Sequence, residues 1–314
     1  MPASILHYEF VKSLVSSDEK YFDIIALAGQ GPDPFFFYGY SLKKRKNKKQ
    51  VQEFGTLLHH SNIAPFYLGL LDYCTKKKGV EKEKLLAFIK GFMYHYCLDR
   101  NAHPYIFYIS GFSDDEKEKR KYALEHAKVE SALDALTKEK YKEKLLIPQM
   151  LKVSDEDLHL VSKMLHFVAH KVLNVDYLDD NSYFDGVKDM RLVYKILNSP
   201  LKIKKLLFMA FFKNHELNAM SAPLSLKKIK KYDLFNENNK KWQNCVNGNI
   251  RFESLNDLIE NARYDANIVN DIIKKSQSGD SINKNMNDFV NLIDHDGFKV
   301  GTTKKYFKIK MFQD

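Results

Sequence analysis

The sequence predicts an all-α protein, folded as a single domain over residues 1–314. Three observations predict it. Apolar residues recur three and four positions apart along most of the chain, the spacing of one face of a helix. Strand signals are sparse. Helix-start signals stand ahead of two periodic runs, at Ser113–Glu116 and Ser154–Asp157, where a serine leads a run of carboxylates.

The elements follow in order. Met1–Val15 is helical, with Ile5, Leu6, Phe10 and Leu14 on one face and His7 near its start. Tyr21–Gly29 continues as an apolar helix and ends in GQGPDPFFFYGY, where Gly29, Gly31, Pro32 and Pro34 hold Asp33 in a tight, extended loop. Lys43–Lys49 reads as a solvated basic loop. Gln52–Leu71 resumes helical spacing and carries His59 and His60, which point about 100° apart, so only one of them faces a given ion. Glu81–Ala102 is the central helix, with Leu85, Phe88, Ile89, Phe92 and Met93 as its apolar stripe and Pro104 as its stop. The helix opened by Ser113–Glu116 carries His126 and Glu130, and Thr137–Lys144 is solvated. Ser154 opens a further helix with His159, His166 and His170. His166 and His170 lie among Leu165, Phe167, Val168 and Val172 without a carboxylate at ligand spacing, and are assigned to core or interface packing.

Leu201–Lys213 is read as a packed helix with lysines at its rim. Asn236–Arg251 is a polar loop around the only tryptophan, Trp242. Ser254–Lys275 is an amphipathic helix, and residues 150–275 are expected to complete the core begun by the metal-ligand motifs of residues 1–136. Residues 276–314 form a polar tail with no assigned role.

Composition bounds the function. An apolar fraction of 44% and a charged fraction of 29% are those of a globular protein. The formal charge of +10 favours anionic partners such as phosphate esters, nucleic acid or an acidic membrane surface, although Lys and Asn are abundant throughout. Three scattered cysteines, Cys74, Cys97 and Cys245, do not make a disulfide framework. Met1–Phe10 lacks the basic start and apolar run of a secretory leader. Leu206–Phe212 falls far short of the ~20 residues of a bilayer span. The expectation is a reduced, cytoplasmic protein with no transmembrane segment.

The chemistry concentrates in Tyr94–Pro104, YHYCLDRNAHP, which sets His95, Asp99 and His103 at four-residue steps on one helix face. His95 and His103 are then about 12 Å apart along the axis, too far to share one ion through bonds of about 2 Å. His126 and Glu130 form a second pair one turn apart. Imidazole with carboxylate suits zinc and several other divalent ions, and this spacing suggests more than one of them.

The ordered set His7, Asp33, His59 or His60, His95, Asp99, His103, His126 and Glu130 resembles the zinc-dependent phospholipase C family, whose fold is shared by nucleases of the P1/S1 type. The matching words are LHY, GQGPDPFF, LLHH, HYCLDRNAHPY and HAKVESALD, spanning Met1–Leu136. The resemblance implies a multi-helix bundle and a cluster of three zinc ions. It implies that His103, His126 and Glu130 hold one ion, and that His95, Asp33 and His59 (or His60) hold another. Asp99 then bridges to a third, which His7 also binds. Secreted relatives begin at a tryptophan whose amino end chelates that third ion; no such tryptophan stands here, and Pro2, five residues before His7, is the candidate replacement after removal of Met1. The implied activity is phosphodiester hydrolysis, with cations acidifying water and neutralising phosphate charge and Asp33 orienting or deprotonating the water. Its substrate is a phospholipid or a soluble phosphodiester, with peripheral membrane contact in the lipid case. The alternatives are a nuclease on the same cluster, or a non-catalytic helical metal-binding protein with a di-iron centre.

Overall fold

The structure is a computed structural model and describes residues 3–41, 45–113, 115–197 and 226–311. The described residues are all-α apart from one two-residue antiparallel ladder. The helices are α1 (Ser4–Leu14), α2 (Phe22–Ala28), α3 (Pro34–Phe37), α4 (Lys48–His60), α5 (Ile63–Thr75), α6 (Gly79–Ser110) and α7 (Lys119–Lys140). They continue with α8 (Ile147–Met150), α9 (Asp155–Leu173), α10 (Ser182–Leu197), α11 (Leu226–Ile229), α12 (Leu255–Gln277) and α13 (Asn283–Val290). Strands β1 (Trp242–Gln243) and β2 (Ile250–Arg251) pair beneath the buried Trp242. Pro2 and Leu201–Lys213 lie outside the described residues.

Helix α6 is the axis of the fold. It packs against α12 and α2 most extensively, and also against α1, α5, α7 and α9. Every residue from Gly91 to Asp99 is buried, so the expected single apolar stripe is here a helix enclosed on all sides. That enclosure takes His95 and Asp99 out of water. Three fully buried aromatics on α6, Phe88, Phe92 and Tyr96, tie it to Phe66, Tyr67 and Tyr183 of the surrounding helices. Truncating a buried phenylalanine of this kind costs about 3–5 kcal/mol.

Several boundaries differ from the sequence reading, each for a local reason. Pro104 does not stop α6, which runs on to Ser110 with the proline inside it. A proline removes one backbone donor, the one that would reach the carbonyl of Arg100. At that carbonyl the chain returns from far away: Gly297, at φ 79°, lies so close that an added Cβ would meet Arg100 O at 2.2 Å. The run from Gln52 to Leu71 is two helices, broken at Ser61 and Asn62, with Asn62 left-handed at φ 56°. The Ser113 sequence does not cap α7, which begins at Lys119; Ser113 Oγ accepts from Asp115 N in a turn instead. Asp33 sits in consecutive turns and leads into α3 with helical dihedrals, so the GQGPDP segment is tight but not extended. Arg45 is not solvated. It is largely covered and pairs with Asp185 and Asp189.

The serine cap expected at Ser154 forms, and Ser254 caps α12 in the same way, each accepting from the backbone N–H three residues on. Beyond α12 the tail carries α13 and a bridge between Ile293 and Lys299.

Candidate metal centre

Four segments bring their polar side chains onto one face of α6. Helix α1 contributes His7. Ala3, at its start, has no capping side chain, and Asp134 of α7 supplies the acceptor, taking the N–H groups of Ile5 and Leu6 at 2.8 and 3.0 Å. This bond sets α1 against α7, four residues from Glu130. The turn after α2 contributes Asp33. There Gly31, at φ 52°, lies flat against the His95 ring, where a Cβ would meet Cδ2 at 2.3 Å. Helix α4 contributes His59, and α7 contributes His126 and Glu130.

Asp99 is the hub. Its Oδ1 is 3.1 Å from His7 Nε2 and 4.0 Å from His103 Nδ1. Its Oδ2 is 2.9 Å from His95 Nε2, 3.1 Å from His295 Nδ1 and 3.9 Å from His59 Nε2. Asp33 Oδ1 is 3.2 Å from His59 Nε2, and its Oδ2 is 4.0 Å from His95 Nε2. Glu130 Oε1 lies 3.3 Å from His126 Nε2 and 3.7 Å from His103 Nε2. A cavity of about 140 Å³ opens onto His7, Asp33, His59, Asp99, His103, His126 and Glu130.

The ring orientations decide what this cluster can hold. His59 Nδ1 donates to Gly55 O at 2.7 Å, His95 Nδ1 to Gly29 O at 3.2 Å and His103 Nδ1 to His295 O at 2.7 Å. An imidazole that donates from Nδ1 presents a bare Nε2 when neutral. Those Nε2 atoms face carboxylate oxygens, and such a meeting is satisfied by a proton on the ring or by a metal ion between the two lone pairs. Histidines that ligate metals are held in this way, with the other ring nitrogen donating to a carbonyl. His95 Nε2 and Asp33 Oδ2 are buried without a hydrogen-bond partner. The donor set is nitrogen and carboxylate oxygen with no thiolate, which suits zinc among several divalent ions.

The electrostatics agree. Burial penalises the Asp99 carboxylate, but His95, His103 and His7 hold it well below the usual range. Asp33 is lowered by His95 and His59 against the same penalty, and Glu130 is held well below its ordinary value by surrounding positive charge, His126 and His103 included. Burial works against charge on His103 too, yet Asp99 and Glu130 raise it to about 10. Burial pushes His295 down to about 3. The site therefore stores anionic carboxylates in a dry interior, a state suited to receiving cations.

Three sets of ligand atoms converge among the described residues: His59, His95, Asp99 and His295; His103, His126 and Glu130; and His60, Asp294 and Asp296. Of the residues expected from the sequence, His7, Asp33, His59, His60, Asp99, His103, His126 and Glu130 line one cavity, and the buried His95 meets them through Asp99 at 2.9 Å. His60 lines the cavity but belongs to neither of the first two ligand sets. It turns outward, half exposed, towards Asp294 at 3.5 Å and Asp296 at 3.7 Å. His166 and His170 are not core residues: both reach the surface of α9 and pair with Asp180 at 2.7 Å and Asp176 at 2.8 Å, carboxylates of the following loop. His295, Asp294 and Asp296 went unseen in the sequence. Their signal was IDHDG, an imidazole between two carboxylates before a glycine, inside a tail that showed no role.

No helix among the described residues is long and apolar enough to cross a membrane. Comparison with family models, curated proteins and solved structures finds no match to this chain.

Proposed function

We propose that this chain is a zinc-dependent phosphodiester hydrolase of the phospholipase C-like kind, working with up to three ions. One observation carries the reading: the Nε2 atoms of His59 and His95 and the carboxylates of Asp33 and Asp99 face one another, buried, with no shared donor at the Asp33 Oδ2 and His95 Nε2 atoms. His103, His126 and Glu130 would hold one ion, and Asp33, His59 and His95 with Asp99 a second. His7 with Asp99 would serve a third, to which Pro2, outside the described residues, is the candidate further ligand. Zinc bound there supplies positive charge for a phosphate and acidifies water near neutral pH.

The chain's own residues do the rest. Asp33 lines the cavity, its Oδ2 is buried with no hydrogen-bond partner, and it would be the group that orients water or takes its proton. Asp99 keeps the imidazoles of three helices at fixed separations. The burial of the cluster lets these charges act at full strength on a phosphodiester. The net charge of +10 suits an anionic substrate, whether a phospholipid or a soluble diester.

A nuclease reading rests on Phe36, half-buried at the cavity and stacked on His59 at 5.3 Å and 30°. A base could stack on such a ring. The test is metal content by mass spectrometry after zinc loading, then turnover of phosphatidylcholine, a soluble diester and single-stranded DNA side by side. Two or three equivalents of zinc and zinc-dependent cleavage of a diester are expected. A zinc-loaded protein that cleaves none of the three sinks the hydrolase reading, and DNA cleavage alone moves it to a nuclease.

A further inference from the structure

The C-terminal segment Ile293–Phe298 reaches the centre through His295, which is 1% exposed and makes three bonds there. Its backbone N–H donates to His59 O at 2.9 Å. Its carbonyl accepts from His103 Nδ1 at 2.7 Å. Its ring Nδ1 lies 3.1 Å from Asp99 Oδ2. We infer that His295 is a positioning residue of the metal centre, aiming the Asp99 carboxylate with its ring N–H and the His103 ring with its carbonyl. The inference rests on the metal reading above.

The segment is built to be rigid at this point. Tyr96 of α6 donates its hydroxyl to Ile293 O at 2.8 Å, and its ring packs edge-on to His295 at 5.0 Å. Asp294 N bonds Phe298 O, and Asp294 Oδ1 accepts from Phe298 N, closing a tight turn. Gly297 lets that turn seat on the Arg100 carbonyl beside Pro104. One residue therefore touches members of the two inner ligand sets, His59 and Asp99 on one side and His103 on the other. A carboxylate shared between ions loses affinity when it rotates, because each oxygen must stay aimed at its own ion. A neutral imidazole has one N–H to give, and Asp99 Oδ2 lies within its reach. Outer partners of this kind are worth roughly 10–100-fold in metal affinity.

Two substitutions separate positioning from direct ligation. His295→Ala removes the ring donor but keeps both backbone bonds. His295→Asn can set its amide nitrogen where Nδ1 stands, so it donates to Asp99 but ligates zinc poorly. The measurement is zinc affinity by competition with a chromophoric chelator, with the melting of each metal-free variant recorded by circular dichroism. Expected is a loss of about 10–100-fold for His295→Ala, confined to the ions that share Asp99, while the His103–His126–Glu130 ion keeps its affinity. His295→Asn should recover most of that loss. Should His295→Ala not fold, His295→Leu refills the space without a donor and takes its place. A donor-free variant that binds every ion as tightly as wild type overturns the inference. So does an Asn variant as weak as Ala, since the imidazole would then be a ligand itself, and so does a uniform loss at all ions. A wild-type chain that takes up no divalent cation overturns the metal reading and this inference together; the other outcomes overturn only the inference.

Discussion

Two helices carry polar, ligand-type residues at four-residue steps, and the structure treats them in opposite ways. On α6, His95 and His103 flank Asp99 and are walled in by α1, α4, α7, the Asp33 turn and the C-terminal segment. On α9, His166 and His170 stand one such step apart and end at the surface, each with one carboxylate from the next loop. Spacing on a helix sets a common face and nothing more. What makes a centre is the number of other segments that bring donors to that face and the carbonyls that fix each ring. The α6 rings have their Nδ1 atoms spoken for and their Nε2 atoms turned inward. The α9 rings use Nδ1 on solvent-exposed aspartates.

The harshest way to break the contrast is Asp99→Asn. It removes the negative charge of the hub and leaves its imidazoles facing a neutral amide. Zinc stoichiometry should fall by at least one ion, and diester cleavage by a factor on the order of 100 or more, by analogy with lost metal partners. In the metal-free protein, removing one side of a buried charged network typically costs about 3–5 kcal/mol, visible in urea melts. An Asn variant with full metal content and full turnover would remove the hub from the argument.

Acidity gives the next effect. In the metal-free fold His103 keeps its proton up to about 10, against about 6.5 in an unfolded chain. Its folded value is raised, so its contribution to stability is fully present below about 6.5 and is lost as pH rises through about 10. Cation uptake must expel that proton, so zinc affinity should climb with pH between those values, by up to about tenfold per unit for one proton. Calorimetry in buffers of different ionisation heat would count the proton released. A pH-independent affinity with no proton release would place His103 outside the ligand set. The carboxylates act at the other end: Asp99 and Glu130 are lowered, so their stabilisation is lost as pH falls below the ordinary carboxylate range.

Gly297→Ala tests whether the returning segment belongs to the centre. Its φ of 79° disfavours any Cβ, and the added carbon would meet Arg100 O at 2.2 Å. Strain of this kind costs roughly 1–3 kcal/mol, and a displaced turn carries His295 and Asp296 with it. Zinc affinity should drop along with the melting temperature. A variant that melts lower but binds zinc normally would make the turn a support for the fold alone.

These residues also show what the sequence could tell. The shared face of His95, Asp99 and His103 was readable because a helix converts four-residue spacing into a common side, and the all-α architecture because three- and four-residue periodicity is local. The helix start at Ser154 was readable because a serine cap acts within one turn, whereas the same pattern at Ser113 closes a turn instead. Pro104 misled because the helix continues through it, at a place where Gly297, almost two hundred residues away, packs on the Arg100 carbonyl. His295 stayed hidden for the same reason: its partners Asp99, His59 and His103 are set by how the tail returns to α6, which no local pattern encodes. His59 and His60 could be told apart only once α4 had a fixed roll against the Asp33 turn.

The smallest effect belongs to α9, and it sharpens the contrast by its absence. His166→Ala and His170→Ala each remove a surface pair, and such pairs are worth about 0–1 kcal/mol. Neither ring nears the ligand sets found among the described residues. The double variant should melt within a few degrees of wild type and keep every zinc ion and all of its turnover. Phe167, between them and 40% exposed, packs on Tyr73 of α5, so the α5–α9 contact survives loss of both imidazoles. If zinc content fell in that variant, four-residue histidine spacing on an open helix would suffice to recruit an ion, and the enclosure of α6 would no longer be what distinguishes the two helices.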